Sequence, residues 1–366
     1  MVESPRVASG RIAYLDGLRA YSIILVLVGH SLRFLPWMGA RAAAPVYVLL
    51  ANSTFGVRVF FVLSGFLITT LLLEERATTG TISIRGFYER RVARIFPAFY
   101  VYVFAVVVLK LSGFLDFQWP PILAAATYTW NYSVLWNAQV GTAGMMLGHF
   151  WTLCLEEQFY LVWPALLMFA GPRWARRVAL AAVLLLPAER VAFYFLTPLL
   201  RGQLTMMFHT GADQILWGAL GAFAYKDGML DRVRHWKYRG LIPWLCGIAV
   251  FVVGPILQNK VRGAHVAVVP SLQCLSVVCM IFWLLSGEGG VLRRTLESWP
   301  LVQLGLLSYS IYVWQQMFLV WPGTSFLRFP LNVLAALLVA TVSYRLVEVP
   351  MRRRIRQWFS QSPPAH

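Results

Sequence analysis

Apolar residues in this chain gather in blocks of about twenty, the length a helix needs to cross a hydrocarbon core, with short polar stretches between them. Ten blocks predict spanning helices, at about 16–35, 54–73, 94–112, 149–170, 176–197, 204–225, 241–257, 266–286, 301–321 and 328–349. The stretch 119–136, "WPPILAAATYTWNYSVLW", is shorter and rich in Trp, Tyr and Pro. Aromatic belts mark membrane surfaces, so it predicts an interfacial or re-entrant segment rather than an eleventh span. No linker is long enough for a second domain. The pattern predicts an all-α, polytopic transmembrane helix bundle over residues 1–358, with a short disordered tail at 359–366.

Composition agrees with that pattern. Of 366 residues, 59% are hydrophobic and 13% charged, against about a quarter charged in soluble domains. The net charge of +17 (32 Lys+Arg, 15 Asp+Glu) would suggest nucleic acid in a soluble chain. Here the basic residues lie between apolar runs, so they predict orientation in a bilayer and contact with anionic lipid or phosphate. With the N-terminus cytoplasmic, one side receives about twenty Lys and Arg and the other about six, the bias that the positive-inside rule expects. Both termini are therefore expected in the cytoplasm. The first apolar run holds Arg19 and His30 and is followed by further spans, so it predicts a retained helix rather than a cleaved signal. Cys154, Cys246, Cys274 and Cys279 lie inside apolar runs without metal-ligand spacing. They are expected to be reduced and buried, and no metal is expected.

Ionisable groups inside spans are costly and default to functional hypotheses. Asp16 with Arg19, His30, Arg58, Glu156 with Glu157, and Asp213 stand out, followed by Glu348 and by Glu189 with Arg190, which can pair with each other. Fourteen residues separate Asp16 from His30, about 21 Å of helix, which puts His30 in the outer half of the first span. Glu156, early in an inward-running span, falls at a matching depth. A histidine and a carboxylate so placed can act as a base and its orienting partner. A histidine held for packing is the alternative, and spacing leaves it open. Arg91 and Arg94 stand at the cytoplasmic lip in "RRVARIFPAFY", on one helix face by their i, i+3 spacing. They suit bidentate phosphate recognition, but on the residues alone positive-inside anchoring is the leading explanation.

At these residues the chain resembles the acyltransferase family 3 membrane proteins, which move acyl groups from coenzyme A to hydroxyls of sugars and other exported molecules. "YLDGLRAYSIILVLVGH" (14–30) resembles the opening helix, which ends in the family's essential histidine. "GVRVFFVLSGFLIT" (56–69) resembles its second helix, and Arg91 and Arg94 match its R-x-x-R. "FWTLCLEEQFYLVWP" (150–164) resembles its W-S-L-x-x-E-x-x-F-Y signature, with Glu156 at the glutamate, and "GADQILWGAL" (211–220) its aspartate-glycine segment at Asp213. "LGLLSYSIYVWQQ" (304–316), with Tyr309, and "YRLVEVPMRRR" (344–354) resemble its closing pair. Three departures stand out. Arg58 replaces an acidic residue, Gln315 a common histidine and Thr152 a serine. No acid–base role is therefore expected at positions 58 or 315. Arg58 could instead pair with Glu156 or with an acidic substrate.

The resemblance implies a multi-pass O-acyltransferase of the bacterial inner membrane, present as the membrane module without a fused esterase-like domain. Acyl-CoA, acetyl-CoA by default, is the implied donor, and a carbohydrate or glycan-containing molecule the implied acceptor, with no nucleic acid. His30 is implied as general base or acyl carrier and Glu156 as its orienting partner. Arg91 and Arg94, with Arg19, are implied on the coenzyme. Asp16, Trp151, Glu157, Tyr160, Asp213 and Tyr309 are implied as substrate or supporting residues. The competing expectations are a transporter or flippase with a His/Asp/Glu polar path and a catalytically inactive relative.

Overall fold

The computed structural model describes residues 12–32, 52–136, 141–320 and 329–361. Among them every regular element is helical. Ten helices longer than a dozen residues follow in order. They are α1 (Ala13–Leu32), α2 (Ser53–Thr79), α3 (Ile84–Leu111), α4 (Phe150–Phe169), α5 (Gly171–Leu196), α6 (Asp213–Lys226), α7 (Arg239–Lys260), α8 (Val268–Leu285), α9 (Trp299–Leu319) and α10. The last joins Leu331–Ser343, a π turn at Tyr344–Glu348, and Val349–Gln361. Six of them (α2, α3, α5, α7, α8 and α10) are long and apolar enough to cross a membrane by length and composition.

The segment 119–136 forms a short helix, Pro120–Ala126, and a 3-10 helix, Trp130–Trp136, neither long enough to cross. The block expected as one span at 204–225 is different. It opens as turns, passes through the one-turn helix Phe208–Gly211, and leaves α6 only 14 residues, about 21 Å. At the break the Thr210 carbonyl accepts a long-range bond from Arg190. Helix α10 continues to Gln361, so residues 359–361 of the expected tail are helical and 362–366 lie outside the described residues. Arg6, Arg11, Arg33, Arg41 and Arg328, part of the charge asymmetry, also lie outside them.

The chain divides into two compact units. The first holds described residues 12–29, 52–82 and 155–306. Its centre is α2, pressed against α6 at two glycines. A Cβ on Gly65 would land on the Ile215 carbonyl oxygen, and one on Gly218 on that of Val62. Small residues let backbones meet where lipid offers no hydrophobic drive for helix association. Ser22 bonds the Gly56 carbonyl, tying α1 to α2, and Trp163 donates to Thr69 Oγ1 at 2.8 Å, tying α4 to α2. Phe66 meets Phe282 edge to face across to α8. By contrast α5 and α7 turn Leu184, Leu185, Leu196, Trp244, Leu245 and Ile256 outward. Apolar faces of that extent suit lipid rather than water.

The second unit holds described residues 30–32, 83–136, 141–154, 307–320 and 329–361. Its core is aromatic. Phe99 stacks on Tyr128 at 4.3 Å and leans on Phe150 at 4.7 Å, while Tyr102 meets Phe150, His149 and Trp314. Side-chain bonds on both sides hold α9 here. Tyr309 donates to the Ile95 carbonyl of α3 at 2.7 Å, and Ser310 donates to Glu348 in the α10 π turn.

Candidate functional site

In the second unit His30, in the last turn of α1, is paired with Gln315 on α9, with Nδ1 2.8 Å from Oε1. The orientation of this amide is fixed from its other end, where Gln315 Nε2 donates to Gln316 Oε1 at 3.2 Å. The amide oxygen can only accept, so His30 Nδ1 carries the hydrogen and the neutral ring has its lone pair on Nε2. Gln315 is fully buried, and the Gln316 amide lies against Gly148. This is the arrangement of a base and its orienting group, with an amide in the orienting position where the sequence pointed to Glu156.

A second histidine, which the sequence reading passed over, lies beside this pair. His149 donates from Nε2 to the Val313 carbonyl at 3.0 Å and is close enough to feel the charge of His30. Its Nδ1 is buried without a hydrogen-bond partner among the described residues. The His149 carbonyl lies 3.0 Å from both Thr152 Oγ1 and Tyr312 OH, which are themselves 2.6 Å apart. The hydroxyl that Thr152 keeps in place of serine is thus in use. The available signal for His149 was a histidine inside an apolar run, two residues before the "WTLCLEE" segment.

Arg91 and Arg94 lie on α3 in the same unit, both half-buried. The Arg91 guanidinium stands 5.5 Å over the Phe87 ring, and the charge of Arg94 reaches Glu348, which also feels Arg352. The Tyr309 bond anchors the backbone next to Arg94. Tyr309 and Gln315 are six residues apart, so about 9 Å of α9 separates the level of Ile95 from that of His30. One rigid helix therefore spaces the arginine lip from the histidine.

The remaining candidates fall in the first unit, apart from half-buried Trp151, which belongs to the second. Glu156 accepts from Tyr160, one turn on along α4, and the Tyr160 hydroxyl is 2.6 Å from Ser64 of α2. Glu157 follows, half-buried. Asp16 binds Arg19 at 2.9 Å. Asp213 is gripped by both Nη atoms of Arg190, at 2.6 and 2.8 Å, with neither side chain exposed. The local Glu189–Arg190 pair is not formed, because adjacent residues on a helix do not face each other. Arg58 bonds Gln214 and Gln273, two amides that the sequence reading also missed. All four cysteines are free thiols. Cys154 and Cys274 are buried, whereas Cys246 and Cys279 are half-buried.

Apolar outward faces, long apolar helices and internal ion pairs define a multi-pass membrane protein. The chain belongs to acyltransferase family 3, whose model, an acyltransferase domain, matches residues 12–344. It is similar to the O-acetyltransferase OatA of Staphylococcus aureus (strain NCTC 8325 / PS 47), at 26% identity over 96% of this chain and 58% of the relative. Listeria monocytogenes peptidoglycan O-acetyltransferase OatA gives the same identity and the same coverage. A putative peptidoglycan O-acetyltransferase of Bacillus subtilis, YrhL, is 26% identical over 95% of this chain and 56% of its own length. The chain thus spans less than three-fifths of the curated relatives it matches. No solved structure matches it.

Proposed function

We propose that this protein is a membrane O-acyltransferase, moving an acyl group, acetyl by default, from cytoplasmic acyl-CoA to a hydroxyl of an exported carbohydrate acceptor. The observation that carries the reading is the His30–Gln315 pair, which presents Nε2 as the basic nitrogen. His30 takes the proton of the acceptor hydroxyl as its oxygen attacks the thioester carbonyl. The C–S bond then breaks, and the leaving thiolate takes the proton back from His30. Gln315 keeps the tautomer through both transfers.

Arg91 and Arg94 hold coenzyme phosphates at the cytoplasmic end, Arg91 with its guanidinium over the Phe87 ring. The spacing of about 9 Å along α9 is short enough for an extended pantetheine arm to reach inward. In this reading ten segments cross the bacterial inner membrane, the sixth as the broken run of turns, the one-turn helix Phe208–Gly211 and α6, both termini are cytoplasmic, and 119–136 lies at the interface. Glu156 with Tyr160, and Trp151, serve the acceptor side. Asp213 acts as support through Arg190, and Arg19 and Asp16 form a local pair near the coenzyme end. The printed names of the relatives make a peptidoglycan sugar the first acceptor to try.

The test is transfer of label from radiolabelled acetyl-CoA to envelope glycans by membranes carrying the protein. Labelled product that disappears with His30→Ala, at equal protein level, supports the proposal. Equal labelling by that variant ends it. A transporter would yield no acylated product.

A further inference from the structure

The reaction above makes no use of Arg58, yet this residue breaks the rules for a buried cation most openly. It is the sixth residue of α2 and 5% exposed. Nε donates to Gln214 Oε1 at 3.2 Å and Nη1 to Gln273 Oε1. Gln214 is itself locked, since its Nε2 donates to the carbonyls of Thr205 (3.0 Å) and Gly211 (3.3 Å), which turns its oxygen to Arg58. Both acceptors are neutral. The nearest carboxylate is no help, because Asp213, whose charge reaches Arg58, is taken by both Nη atoms of Arg190. Two guanidinium groups and one carboxylate leave this enclosed cluster one positive charge in excess. Of fifteen acidic residues only Glu3 lies outside the described ones, and among those described no carboxylate forms an ion pair with Arg58.

Five N–H groups make up the guanidinium donor set. Two have acceptors, while Nη2 and the second N–H of Nη1 have none among the described residues. An uncompensated buried charge costs several kcal/mol. A purely structural tie between α2, α6 and α8 would be better made by a neutral side chain. The unused N–H groups belong to a planar fork that suits the paired oxygens of a carboxylate or phosphate.

We propose that Arg58 is the anchor of an oxyanion site, taking a carboxylate or phosphate group, and that the acceptor substrate supplies this group. The second half rests on the acyl-transfer reading, whereas the first does not. An acidic acceptor would neutralise the cluster on binding and be oriented by the two amides, Gln214 and Gln273, that frame the fork, and a neutral analogue would leave the cation bare.

Two measurements test this separately. The first is the melting temperature of the purified full chain in detergent, titrated with sodium acetate or inorganic phosphate against sodium chloride at matched ionic strength. A saturable rise in wild type, lost in Arg58→Gln and weaker in Arg58→Lys, supports the site, and the stronger of the two anions indicates carboxylate or phosphate. No rise in wild type, or the same rise in Arg58→Gln, overturns it. Should Arg58→Gln fail to fold, the same comparison is made with Arg58→Lys, and an undiminished rise there overturns the site. The second is acyl transfer to a glycan carrying a carboxylate and to its methyl ester. Wild type should favour the acid at least tenfold in kcat/KM, and Arg58→Gln, or Arg58→Lys in its place, should reduce that ratio severalfold. Equal use of the two by wild type overturns the acceptor assignment. Transfer to neither overturns the acyl-transfer reading while the melting result still decides the anion site.

Discussion

Asp213 tests whether a carboxylate within a family motif acts on substrate or holds the fold. It is fully buried and grips Arg190 through both oxygens, at 2.6 and 2.8 Å, while Arg190 also donates to the carbonyls of Val266 and Thr210. Asp213→Ala strands a guanidinium whose remaining acceptors, the Val266 and Thr210 carbonyls, are neutral and take only two of its five N–H groups. Removing one partner of a buried pair costs about 3–5 kcal/mol. At roughly 2–4 °C per kcal/mol for domains of ordinary size, the expected fall in Tm is on the order of 10 °C. Removing both charges with Arg190→Met and Asp213→Leu should recover most of that loss, because the desolvation cost leaves with the charges. The assay is thermal unfolding of the detergent-solubilised protein, read by tryptophan fluorescence and by the monodisperse fraction on gel filtration. A Tm of Asp213→Ala within a degree of wild type would refute the reasoning, as would a double variant worse than the sum of the singles. Acyl transfer retained by a recovered double variant would assign Asp213 to the scaffold. Its loss in such a variant would assign Asp213 to substrate.

Three further outcomes follow from the same geometry. Gln315→Leu removes one hydrogen bond to His30, worth about 1.4 kcal/mol, and should lower kcat about tenfold without changing the KM for acyl-CoA. Gln315→Asn, too short to reach, should behave alike, and steady-state kinetics in nanodiscs decides. Arg91→Gln with Arg94→Gln should raise the acyl-CoA KM about tenfold or more, each charge-assisted bond being worth roughly 1.5–3 kcal/mol, and an unchanged KM would return both arginines to membrane anchoring. Gly218→Val should cost about 1–3 kcal/mol or more, since its Cβ meets the Val62 carbonyl oxygen of α2. A wild-type Tm in that variant would contradict the close α2–α6 approach.

Much of this was visible in the linear pattern because bilayer physics is legible residue by residue. Apolar block length located the long helices, and the cost of buried charge singled out His30, Arg58 and Asp213 before any contact was known. Partnerships were less legible, since they depend on which helix faces meet. Arg190 looked matched to Glu189 because the two are adjacent, but a helix turns neighbours away from each other and Arg190 closes on Asp213, 23 positions later. His30 was expected to use a carboxylate, and the structure gives it the amide of Gln315, 285 positions away. The neutral amides Gln214, Gln273 and Gln315 leave little mark in a hydropathy pattern, although each sits against a charged or titratable group. The break before α6 was hidden for a different reason. Its sequence is apolar enough to continue as helix, and only the long-range bond from Arg190 to the Thr210 carbonyl marks the turn.

The central claim is that His30 performs acyl transfer, and single-turnover measurement tests it most directly. Purified wild type and His30→Ala in nanodiscs are mixed with radiolabelled acetyl-CoA and peptidoglycan fragments, and the ester-linked label is counted over time. The account predicts labelled ester and an equal amount of free coenzyme A from wild type. From His30→Ala, at matched Tm, it predicts neither above background. Equal single-turnover rates for the two proteins would contradict it.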